Sequence, residues 1–204
     1  MTKARTLIFI PIIHSAADMG GLRESVQRVT LQKLGEKVWE NRIRLIDGLW
    51  DKIETVINEL SLSWGKVRLY QDGLPVCGLE VKIVTEIAKA GSRNHVILLR
   101  LMENGATIMG TESPELLKEE YNLVKRILSA DNALEAARIE ECQKPLSDAL
   151  LKKRDQYIAD RINRTLGIGE TGIIFLGMLH SLDNLLDKDI QVICPISQHL
   201  DFGG

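Results

Sequence analysis

LIFIPIIHSAAD, Leu7 to Asp18, and IIFLGMLHSLDN, Ile173 to Asn184, lie near opposite ends of the chain and read as two copies of one element. Ile8 matches Ile174, Phe9 matches Phe175, His14 matches His180 and Ser15 matches Ser181, while most other positions exchange one apolar residue for another. A run that is aliphatic on both faces predicts a strand buried on both sides, as in a parallel sheet covered by helices. Two such strands in one sheet bring their carboxyl ends to a single edge, where open α/β sheets bind ligands. Ser15 and Ser181 also suit a plainer role as N-caps of following helices, with Asp183 in the first turn of the second. Yet the chain has only four histidines, and two of them, His14 and His180, fall at equivalent positions of that edge.

Between the copies, strand and helix signals alternate. Residues 15–21, with Asp18, Gly20 and Gly21, read as a loop over the first strand end. From about Leu22 to Leu60 the pattern is helical, with Leu45, Leu49, Trp50, Ile53, Val56 and Leu60 on one stripe and Gly35 and Gly48 dividing it into two or three helices. KVRLYQ, Lys66 to Gln71, is a second strand that ends at Asp72-Gly73. A helix closed by Gly91 and another from about Asn94 to Glu103 follow. ATIMG, Ala106 to Gly110, is a third short strand, and Ser113-Pro114 opens the next helix, so Glu112 stands at a strand end. Leu117, Tyr121, Val124 and Leu128 form that helix's apolar face. The chain is helical again from Asp131, interrupted near Pro145, with a largely solvated charged face that includes Arg154, Asp155 and Arg161. After the second His-Ser strand, a short helix precedes a final strand, Ile190 to Ile196.

Five strands alternating with helices and no hairpin signal predict a helix-rich α/β domain, residues 1–204, with a mostly parallel sheet of about five strands and helices on both faces. At 204 residues with 45% hydrophobic and 26% charged content, the chain can bury one core, and a net charge of −2 offers no footprint for nucleic acid. Cys77, Cys142 and Cys194 form neither a CxxC pair nor a zinc ribbon and are expected as reduced, buried or semi-buried thiols. The first apolar run is too short for a membrane span and lacks a cleavage site, so a cytoplasmic protein without membrane association is expected. The stripe through Leu45 and Trp50 is longer than a small sheet needs; it is buried either against an identical subunit in a homodimer or within the sheet's own core.

If the strands are parallel, His14, Asp72, Glu112 and His180 share one edge. Two imidazoles and two carboxylates can hold a divalent ion such as Mn, Zn or Fe, or act as general acids and bases near neutral pH. His14, His180 and Glu112 are thus the catalytic candidates, and His14, His180, Asp72 and Glu112 the metal ligands. Ser15, Ser181 and Arg154 are candidates for substrate contacts. The glycines at 167, 169 and 172 precede a strand instead of opening a helix, and there is no Walker lysine, so no nucleotide cofactor is expected. Neither serine sits in a GxSxG elbow.

Gly177-Met178-Leu179-His180, preceded by a helix containing Arg154-Asp155, resembles the carboxyl-terminal GxxH region of the TraB/Tiki group, within a superfamily that includes ChaN-like and erythromycin-esterase-like proteins. The resemblance implies an α/β fold and a hydrolase-type site, metal-dependent in some members, with His14 and His180 as its histidines. Departures are Pro11 where the family has glycine, Asp155 where it tends to have asparagine, and Asp72 near the place of a glutamate. The function expected is a metal-dependent hydrolase acting on a small-molecule or peptide substrate. The competing expectation is a non-catalytic small-molecule-binding or regulatory protein, motivated by the same departures.

Overall fold

The computed structural model describes residues 4–13 and 36–196. In chain order the elements are β1 (Arg5–Ile12), α1 (Glu36–Glu59), β2 (Val67–Gln71), α2 (Glu80–Lys89), α3 (Arg93–Glu103), β3 (Thr107–Met109), α4 (Pro114–Leu128), α5 (Ala133–Thr165), β4 (Thr171–Gly177) and β5 (Ile190–Ile193). The strands form one sheet in the order β3-β2-β4-β1-β5, with every pairing parallel. This is the expected α/β architecture.

Successive strand side chains enter opposite cores, as the two-residue period of a strand requires. Ile8, Ile10, Leu69, Ile173 and Phe175 pack with Trp50, Ile53 and Ile57 of α1, Val84 of α2 and Ile97 and Leu98 of α3. Leu7, Tyr70, Ile174 and Leu176 pack on the other face against Ile158, Ala159 and Ile162 of α5. The helices α2 and α3 that leave β2 therefore cover one face, and α5, which enters β4, covers the other together with Leu182, Leu185 and Leu186 of the turns that leave β4. The crevice between the ends of β2 and β4 is the switch point at which such sheets open toward a ligand.

Helix starts follow local chemistry. Ser92, Ser113 and Asn132 each accept a hydrogen bond from the backbone N–H three residues on, and Pro114 occupies the first turn of α4. At the opposite end of the sheet, Arg5 donates to Asp187, Asp189 and the carbonyls of Asn163 and Leu166. It ties β1 to the turn before β5 and to the carboxyl end of α5, where a cation is favoured by the helix dipole.

Several local expectations are corrected. α1 runs through Gly48 because burial of Leu49, Trp50, Ile53 and Ile57 outweighs the ~1 kcal/mol penalty of one helical glycine. Most of that stripe packs into the chain's own core, while Leu45 projects from it. α5 continues through Pro145, which lies on an exposed stretch where water can satisfy the freed carbonyl. No helix lies between β4 and β5; residues 181–189 form turns and irregular backbone, with Asn184 in the left-handed region at φ 63°. Ser181 therefore caps no helix. All three cysteines are exposed, on the turn after β2, on the outer side of α5 and just past the edge strand. Among the described residues no helix is long and apolar enough to cross a membrane.

The two copies lie in one sheet, as expected, and their strands are immediate neighbours, but they pair one residue out of step with their sequence alignment. Ile8 lies opposite Ile173 and Phe9 opposite Ile174. A one-residue offset reverses facing, so the matched pair Phe9 and Phe175 enter different cores.

Candidate functional site

The loops after β2 and β3 build the floor of the site together. Thr111 and Glu112 both donate their N–H to the carbonyl of Leu74, and Val76 donates to the carbonyl of Glu112 at 2.9 Å. Gly110 permits this approach: a Cβ there would lie 2.7 Å from the Val76 Cα. Gly73, at φ +75°, turns its N–H onto Glu112 Oε1 at 2.7 Å, a conformation that favours glycine. Thus QDGLP, from Gln71 to Pro75, and GTESP, from Gly110 to Pro114, form one structure that presents Asp72 and Glu112 side by side.

Both carboxylates meet Arg154 from the middle of α5. Its Nε and Nη2 grip Glu112 at 2.6 and 2.7 Å, Nη2 also donates to Asp72 at 2.9 Å, and Nη1 donates to Glu120 of α4. Arg154 and Asp72 are nearly buried and Glu112 is fully so. Burial drags the Arg154 guanidinium downward, but its hydrogen bonds to Glu112 and the charges of Glu112, Glu120 and Asp72 hold it above its ordinary value, firmly charged. Burial, joined by the neighbouring Asp72 carboxylate, pushes the Glu112 carboxyl up against the pull of Arg154. Four of the five guanidinium donors have these partners; the remaining Nη1–H has none among the described residues.

The next residue of α5 serves a different partner, because successive helical positions diverge by about 100°. Asp155 Oδ1 lies 2.5 Å from His180 Nδ1, and its Oδ2 accepts from the Ser181 N–H at 3.3 Å. His180 sits in the turn after β4, its side chain 5% exposed, with Nε2 3.6 Å from Asp72 Oδ2. That Asp72 oxygen also accepts from the Gly177 N–H at 2.9 Å. The facing carboxylate assigns the neutral-ring proton to Nδ1, which leaves the Nε2 lone pair on the side of Asp72 and the cavity.

A cavity of about 590 Å³ opens over this floor, lined by Asp72, Glu120, Arg154 and His180. Its walls include Leu117, Tyr121 and Val124 of α4 together with Leu151, Met178 and Leu179. Three residues of the α4 apolar face, Leu117, Tyr121 and Val124, therefore face the cavity.

Of the expected site residues, the fold brings together His180, Asp72, Glu112 and Arg154. His14 and Ser15 lie outside the described residues. Ser181 is exposed, its hydroxyl donating to Asp183 at 3.2 Å, and it touches the site through its backbone N–H on Asp155. Asp155 and Glu120 were not among the candidates, nor was His95 of α3, which also lines the cavity. Arg154 and Asp155 are buried exceptions on a helix face expected to be mainly solvated.

The residues present do not fit a divalent ion held by Asp72, Glu112 and His180. Both Glu112 oxygens lie on the guanidinium, one of them also on Gly73, and Arg154 occupies the cationic position between the two carboxylates. Among the described residues no group of three or more His, Cys, Asp or Glu side chains is arranged to hold a metal.

Fold and site together define an open, all-parallel α/β protein with a buried, hydrogen-bonded cluster of ionisable side chains at its switch point. No family model, curated protein or solved structure matches the chain.

Proposed function

We propose that this protein is a hydrolase in which His180, oriented by Asp155, is the general base at the end of β4. The observation that carries the reading is the 2.5 Å contact between Asp155 Oδ1 and His180 Nδ1, which leaves Nε2 toward the cavity. With Nδ1 donating to Asp155, Nε2 takes a proton from a water attacking an ester or amide carbonyl. Asp155 and Asp72 stabilise the imidazolium that forms, and the imidazolium then returns the proton to the leaving group. The Nη1–H of Arg154 that has no partner among the described residues is the donor available for the developing oxyanion. Glu112 and Asp72 hold the guanidinium rigid so that this donor needs no reorganisation.

The test is turnover of an ester and amide panel by the wild type, His180→Asn and Asp155→Asn. At unchanged melting temperature, His180→Asn is expected to abolish turnover and Asp155→Asn to lower kcat by about 10²-fold or more. A wild type that binds ligands in the cavity but turns over nothing on the panel would instead favour the non-catalytic binding protein.

A further inference from the structure

The charges around the cavity are unequal. Asp72, Glu112 and Glu120 surround the one guanidinium, Asp155 lies behind His180, and no lysine is among the described lining residues. Arg154 already donates to three carboxylates and keeps one N–H, so it offers little to a carboxylate or phosphate ligand. Glu120 is the member that faces outward. Its side chain is 42% exposed, Oε1 accepts from Arg154, and Oε2 has no partner among the described residues. Beside it on α4, Tyr121 is 47% exposed and lines the same cavity. The walls also carry apolar side chains, Leu117, Val124 and the 85% exposed Leu179.

Resting on the hydrolase reading of this cavity, we propose that Glu120 is its specificity-determining residue and that the substrate joins an apolar body to a protonated amine. The amine donates to Glu120 Oε2 and meets the electron-rich face of Tyr121, an arrangement favourable to cations. The apolar body covers wall residues that otherwise face water. A carboxylate at the same place meets surplus negative charge, and a neutral group leaves Glu120 Oε2 without a charged partner, Oε1 being held by Arg154.

The inference is tested by calorimetric titration of the whole protein at low salt with hexylammonium, hexanol and hexanoate, none of which can be hydrolysed. Hexylammonium is expected to bind tightest and hexanoate weakest. Glu120→Gln should weaken hexylammonium about tenfold, the scale of one hydrogen bond to a charged group, and leave hexanol unchanged. Should Glu120→Gln also lose hexanol, Tyr121→Leu decides: selective loss of hexylammonium supports the assignment, and no loss overturns it. Hexanoate binding as well as hexylammonium, or displacement of hexylammonium by micromolar Mn²⁺, likewise overturns it. The two readings fail separately. Turnover that needs His180 but treats neutral and cationic esters alike removes only the specificity, while Glu120-dependent binding with no turnover removes only the hydrolase.

Discussion

Replacing Arg154 with methionine keeps the length of the side chain and removes the guanidinium from a cluster with three carboxylate partners. The side chains of Arg154, Asp72 and Glu112 are 5%, 4% and 1% exposed, so the remaining carboxylates cannot recover hydration. Breaking a buried pair from one side costs about 3–5 kcal/mol. For a chain of this size that corresponds to a fall in Tm of roughly 6–20 °C. The loss depends on pH, with a definite sign. Burial already holds the Glu112 carboxyl above its ordinary value of 4.5, so the native state binds that proton more tightly than the unfolded chain. Its contribution is fully present below pH 4.5 and is lost as pH rises through the raised value. Removing Arg154 takes away the strongest opposing influence and lifts the carboxyl further. The deficit of Arg154→Met is therefore largest at neutral pH and shrinks on acidification, by up to about 1.4 kcal/mol per pH unit for each extra proton bound. Urea unfolding followed by circular dichroism at about pH 5 and about pH 8 measures both quantities. A deficit under about 1 kcal/mol, the scale of an exposed ion pair, or one equal at both pH values would refute the buried-cluster reading.

Gly110→Ala places a Cβ against the Val76 backbone and should push apart the loops that present Asp72 and Glu112. A loss of about 1–3 kcal/mol in thermal unfolding is expected, with a shifted Gly73 amide resonance; an unperturbed Gly73 would show that the loops do not depend on this contact. Adding Mn²⁺, Co²⁺ or Zn²⁺ should leave the melting temperature unchanged, since Arg154 holds the place a cation would take between Asp72 and Glu112. A rise that disappears in Asp72→Asn would establish a metal site instead.

Much of this arrangement is legible in the sequence. The strands are readable as apolar or β-favouring runs, and Asp72, Glu112 and His180 stand out because each lies at or just past the end of one. Parallel strands then force these ends to one edge. The helical contributions are harder to read. Arg154 and Asp155 sit in a stretch dense with charge, and a helix face of this composition looks the same whether it meets water or a buried partner. Only the approach of the β3 loop and the β4 turn singles out these two. Glu120 has the same difficulty, since its partner lies 34 residues away on α5. The apolar stripe of α4 was recognisable, but whether it fills a core or a cavity depends on how far α4 stands from the sheet, which no local pattern encodes. The repeat misleads in one respect: matched residues are neighbours in the sheet, yet the one-residue offset in pairing turns them to opposite faces.

The protonation site of the His180 ring, read by nitrogen NMR, tests most directly whether Asp155 prepares this histidine as a base. In the neutral wild-type ring the proton is predicted on Nδ1, held by Asp155 Oδ1 at 2.5 Å, with Nε2 bare toward the cavity. Asp155→Asn should release that preference and populate the Nε2–H form. A wild-type ring protonated on Nε2, or a tautomer indifferent to Asp155→Asn, would contradict the assignment of His180 as the oriented base.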